Sequence, residues 1–86
     1  MIIIEYLDWQ GAAEELEEYC SAIEEAISAT PDSRYIGRFR PVNSMYTHAV
    51  FMETKDYTTW DEVLHNFHYK AVERKTLPHL KQEFFR

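Results

Sequence analysis

The chain has 86 residues, a net charge of −6 and 15% aromatic residues, with only two glycines and three prolines. That length makes a single domain over residues 1–86, and the composition excludes a linker or a disordered tail. A lone domain of this size buries only about 60% of its unfolded surface, so self-association would relieve a marginal stability.

The charge is unevenly placed. Residues 1–33 hold nine acids and no Lys or Arg, whereas residues 34–86 hold six acids and nine bases. Nucleic-acid binding needs a basic stripe and is disfavoured; complementary surfaces within the chain or between copies suit the division better. The single cysteine, Cys20, excludes an internal disulfide and reads as a small buried hydrophobe rather than a reactive thiol. No run approaches the roughly 20 apolar residues of a membrane span, and Met1 leads into a strand-like run without the basic start of a signal peptide. A soluble, cytoplasmic protein without a membrane partner is expected.

In chain order, Ile2 to Leu7 is rich in β-branched and aromatic residues and predicts a strand. Leu16, Tyr19, Cys20, Ile23, Ala26 and Ile27 recur at spacings of three and four, which predicts a helix over 12–29 with its glutamates on the wet side. Thr30-Pro31-Asp32-Ser33 ends it. A second strand is expected over 34–42. Simple alternation there sends Tyr35, Gly37 and Phe39 one way and Arg34, Ile36, Arg38 and Arg40 the other; Gly37 marks a bend or a close approach. A third strand is expected over 46–53, with Tyr46, His48, Val50 and Met52 on one face. The second helix begins near Thr58, with Thr59 and Glu62 in the form of a capping box. Its apolar stripe is Trp60, Val63, Leu64, Phe67 and Ala71, and Pro78 ends or kinks it. The tail from His79 reads as a short last helix, because Leu80 and Phe84 are four apart; a fourth strand is the alternative.

The order β-α-β-β-α implies an α+β fold, an antiparallel sheet with both helices on one face. Strands one and three nevertheless carry apolar residues at both parities. A sheet apolar on both sides, with helices for one, calls for a second sheet, and so for a homodimer packed sheet to sheet.

The element order, the length and an aromatic-rich second helix (Tyr57, Trp60, Phe67, His68) resemble the ferredoxin-like dimeric α/β-barrel proteins. That group includes antibiotic biosynthesis monooxygenases, stress-responsive barrel proteins, muconolactone-isomerase-like enzymes and NIPSNAP-like proteins. The chain departs from the pattern at its end, where only Glu83 to Arg86 remain to supply a closing strand. The resemblance implies a pocket between sheet and helices for a small aromatic or polyketide-like molecule, worked by His, Tyr, Trp, Asn or Arg side chains without metal or flavin, hence no cofactor. Fold alone does not license an activity.

Several polar residues bear on chemistry. His48 lies in an apolar strand and needs a partner; it reads as a hydrogen-bonded structural residue or as a general base. With His48 as base, Tyr6, Arg38, Tyr46, Trp60 and His68 are the candidate ligand contacts. Arg34, Arg38 and Arg40 read as an edge device against strand pairing, as an anion cluster, or as interface ion pairs. Glu5 is either paired with an Arg or a raised-pKa base. His65 and His68, with Asp61, have a spacing compatible with a metal, but that spacing is common by chance and exposed or core-edge histidines are the preferred reading, so no metal is expected. No GxSxG or HExxH motif is present. Two functions remain: a small enzyme of monooxygenase or isomerase type, or a non-catalytic ligand-binding or structural homodimer.

Overall fold

The computed structural model describes residues 1–67 and 79–86. The elements run β1 (Ile2–Asp8), α1 (Ala13–Ser28), β2 (Ser33–Phe39), β3 (His48–Thr54), α2 (Tyr57–Asn66) and β4 (His79–Phe85). The four strands form one sheet in the order β2-β3-β1-β4, and every neighbouring pair is antiparallel. Each βαβ crossover skips one strand, the split arrangement of ferredoxin-like folds.

Strand β1 alternates strictly. Ile3, Glu5 and Leu7 are buried, while Ile2, Ile4, Tyr6 and Asp8 are half-buried on the opposite face. Both helices cover the first face. Leu16, Tyr19, Cys20, Ile23 and Ile27 from α1, with Trp60 and Val63 from α2, form one core with Ile3, Leu7, Val50 and Met52. The spacing of three and four thus places a single stripe of α1 on the sheet. Glu14 and Glu15 occupy its first turn, where the helix dipole favours negative charge. Its end is fixed by Thr30, whose hydroxyl donates to the Ala26 carbonyl at 2.8 Å.

The tail is a strand, not the helix that the Leu80–Phe84 spacing suggests. β4 pairs with the free side of β1 from Ile2↔Phe85 to Asp8↔His79, which makes β1 an interior strand. Backbone pairing with a waiting strand outweighs a local periodicity that four residues can satisfy either way. Gln82 and Phe84, two apart, face the helices with Glu5 and Ile3, and the Phe84 ring meets Trp60 edge-on at 6.2 Å.

Two local readings also change. A bulge between Tyr35 and Gly37 shifts the β2–β3 register. Arg34 pairs with Glu53 on the outer face, whereas Arg38 pairs with Val50 and turns to the helix side. The arginines therefore do not share a face, because one extra residue reverses the alternation beyond it. Gly37 sits against the Phe39 ring, where an added Cβ would lie 3.2 Å from two ring carbons. The cap of α2 is Asp56, whose Oδ1 accepts from the Thr59 N–H at 2.9 Å, so Thr59 is three residues inside the helix and not its cap. Leu64 is 47% exposed and lies off the buried stripe. Ala71 and Pro78 lie outside the described residues.

Alternating burial makes a simple prediction. Leu7→Ala, at a fully buried β1 position, should cost about 2–5 kcal/mol in urea unfolding. Leu64→Ala should stay within about 0.5 kcal/mol.

Candidate functional site

Polar groups are gathered on the helix-covered face of the sheet. Glu5 is only 4% exposed although it sits mid-strand. Its partner is not an arginine. Tyr19 on α1 donates its hydroxyl to Oε1 at 2.5 Å, and Gln82 on β4 donates its amide to Oε2 at 2.9 Å. Two neutral donors thus hold a buried carboxylate, which satisfies it without cancelling its charge. Above it the Tyr19 ring meets Trp9 at 6.0 Å and Phe67 at 5.6 Å, so an aromatic wall closes this end.

One pair further along the same face, β3 opens with His48, opposite Leu7. Its Nδ1 lies 2.9 Å from the Thr47 hydroxyl oxygen. That hydroxyl donates its only hydrogen to the Leu7 carbonyl at 3.1 Å and accepts from the Trp9 N–H at 2.9 Å. Its remaining lone pair can only accept, so Nδ1 carries the proton and donates. In the neutral ring the Nε2 lone pair is then left available. Burial holds the His48 pKa below its usual value, and the Arg40 and Arg38 charges push the same way while Glu17 opposes them. The ring is therefore neutral at pH 7 and able to accept a proton at Nε2.

Arg38 reaches this region through the β2 bulge. Its guanidinium donates to the Glu17 carboxylate of α1 at 2.7 Å. Cys20 is buried beside it. Burial raises the thiol pKa and Arg38 only partly offsets the rise, so this cysteine is no nucleophile.

The other expected contacts scatter. Tyr6 faces the opposite surface, where it stacks on Tyr46 at 5.4 Å and lies under the Lys81 ammonium at 5.6 Å. Tyr46 thus joins Tyr6 and not His48, because it precedes β3 and is outside its alternation. Trp60 is core, packed against Phe84 at the far end of the sheet. His68 lies outside the described residues. His65 is exposed, with Nδ1 2.8 Å from the Asp61 carbonyl oxygen. Among the described residues, no group of three His, Cys, Asp or Glu is placed to hold a metal ion. His48 and Arg38 are brought together; Tyr6 and Tyr46 form a separate pair.

Sequence reading took Tyr19 only as stripe and missed Thr47, Glu17 and Gln82 as partners. A signal for Tyr19 was available: Glu5 has the parity of Ile3 and Leu7, and a tyrosine on the inward stripe of a covering helix is the natural donor for it.

The depressed His48 pKa has a definite sign. The unfolded chain binds the proton more readily, so the folded-state advantage is present above pH 6.5 and is lost as pH falls through the folded-state pKa. An NMR titration of the imidazole should show a midpoint below 6.5, and His48→Phe should flatten the decline of stability on acidification from pH 7.

No protein-family model matches the chain, and no curated protein matches it. In structure it is similar to SnoaB, a cofactor-independent oxygenase from Streptomyces nogalater solved as a mutant. The TM-score is 0.76 over 99% of this chain and 89% of that one, at 15% sequence identity. A likeness at that identity carries the architecture and no residue roles. The chain has a ferredoxin-like α+β fold, an architecture it shares with that oxygenase.

Proposed function

We propose that the protein is a small-molecule-transforming enzyme of monooxygenase or isomerase type that works without metal or flavin as a cytoplasmic homodimer. It would take a small aromatic or polyketide-like molecule at the helix-covered face, with His48 as the proton acceptor. The observation that carries this reading is the Thr47 hydroxyl. It fixes the His48 tautomer and leaves the Nε2 lone pair of a neutral imidazole free to take a proton. A ligand O–H or C–H would give that proton to Nε2, leaving its electron pair on oxygen or carbon. In an isomerase the proton returns at another atom; in an oxygenase the anion passes electrons to molecular oxygen. The fold shared with a cofactor-independent oxygenase supports chemistry of this kind.

The homodimer is supported by the outer sheet face. Ile2, Ile4, Tyr6 and Phe51 are half-buried there, while Phe39 is 52% and Phe85 47% exposed. Adjoining apolar groups that no layer covers among the described residues support an interaction surface, and a second copy offers the same face. A non-catalytic homodimer is the competing reading. It is favoured by the filled interior, since Ile3, Leu7, Val50 and Met52 have no exposure and both Glu5 oxygens are already bonded.

Light scattering should give twice the chain mass of 10.3 kDa; a stable monomer would remove the sheet-to-sheet homodimer. Oxygen uptake and product analysis with a panel of aromatic hydroquinols and enolisable ketones should reveal turnover that falls by about 10²–10⁴ in His48→Phe. Absence of turnover with every member, or full activity in that variant, overturns the catalytic reading in favour of the non-catalytic one.

A further inference from the structure

Trp9 is tied to His48 through a shared atom. The Thr47 hydroxyl oxygen lies 2.9 Å from the Trp9 backbone nitrogen and 2.9 Å from His48 Nδ1. Trp9 also continues the parity of Ile3, Glu5 and Leu7, and it packs against the helix-side core. The two residues are therefore neighbours on the helix side of the sheet.

The indole is fixed within the chain. Its Nε1–H donates to the Ala12 carbonyl at 3.0 Å. The Tyr19 ring meets it at 6.0 Å, and Tyr19 is itself held by Glu5 and by the edge-on ring of Phe67. Gly11 borders the indole, since an added Cβ there would lie 3.4 Å from Nε1. A side chain ordered in this way loses little further freedom when a ligand settles on it. Yet Trp9 is not sealed. It is half-buried, as is His48, whereas Trp60, the other tryptophan, is core at 5% exposure. With its only donor already satisfied, the accessible part of the Trp9 indole offers a ligand π surface and no hydrogen bond.

We propose that the Trp9 indole is a stacking platform beside His48 and selects ligands that carry a planar aromatic ring over saturated rings of the same size. A ring laid on the indole would bring its hydroxyl group toward His48 Nε2. That last placement rests on the proton-acceptor reading of His48; the platform itself is tested without it.

The full chain, isotope-labelled for NMR, would be titrated with β-naphthol and with its ring-saturated counterpart β-decalol, following the indole N–H signals of both tryptophans and the His48 imidazole. β-Naphthol should shift the Trp9 and His48 signals and leave that of Trp60 in place. It should bind about two- to tenfold more tightly than β-decalol, the gain that aromatic stacking adds to apolar area. Trp9→Leu should abolish that preference, while Trp9→Phe, which keeps a smaller ring, should retain part of it. Equal affinity for the two probes, a shift at Trp60 in place of Trp9, or an undiminished preference in either variant overturns the platform. Trp9-dependent preference for β-naphthol in a chain that turns over none of the hydroquinols or ketones would retain the platform and remove the catalytic reading. Turnover in a chain that binds both probes equally would do the reverse.

Discussion

The arrangement of this chain hangs on a carboxylate in the middle of a sheet. An unpaired acid in an apolar interior is costly, and only hydrogen bonds or neutralisation make it tolerable. Glu5 receives its donors from α1 and from β4, through residues 14 and 77 positions away. The requirement ties together the first strand, the covering helix and the last strand. With Tyr19 seated on Glu5, Leu16, Ile23 and Ile27 fall on the sheet. Glu17, two residues before Tyr19, then lies toward β2, where it meets Arg38. Packing alone would tolerate small slides of a smooth apolar stripe. A directional bond from one hydroxyl to one buried carboxylate does not, and it sets the charged groups of α1 against those of β2.

The two faces of the sheet solve different problems. The helix side is closed by apolar side chains with nearly no exposure, and among the described residues its fully buried side-chain polar atoms all have hydrogen-bond partners. The outer side carries aromatic pairs, Phe39 with Phe51 at 5.1 Å and Tyr6 with Tyr46 at 5.4 Å. Lys81 and Glu83, 3.7 Å apart, add charge to the same side. Such a face is neither an ordinary wet surface nor a finished core. The sequence shows why: strands that alternate polar and apolar residues cover one side only, and β1 and β3 do not alternate in that way.

Much of this was legible from residue order. The β-branched and aromatic run of β1 and the three-and-four spacing of α1 predict those elements to within a residue. The split sheet followed from the order of elements. What failed had identifiable physical causes. The side of Arg38 depends on whether two residues or one face β3 at Ile36, and no propensity marks that bulge beyond the neighbouring Gly37. Residues 79–85 offer both a helical and a strand pattern, and the vacant edge of β1 decides between them, a fact about tertiary structure. Asp56 rather than Thr59 caps α2 because the hydroxyl of Thr59 is drawn inward to Asp56 itself, at 3.0 Å. In the candidate site, His48 and Arg38 could be proposed from residue type. The Thr47 hydroxyl that assigns the His48 tautomer could not, since it depends on a carbonyl 40 positions away.

The bulge in β2 also bears on how such a chain can change. Beyond Tyr35 the extra residue exchanges inside for outside, so Arg38 is a helix-side group only because Ile36 is accommodated out of step. Were Ile36 paired in plain alternation instead, the Arg38 guanidinium would pass through the thickness of the sheet to the aromatic face, and Phe39 would turn inward. Deleting Ile36 would do neither: it would remove the bulge and leave Arg38 opposite Val50 and Phe39 opposite Ala49. The division of charge between the two faces therefore tolerates the loss of that residue but not a one-residue slip of the same strand.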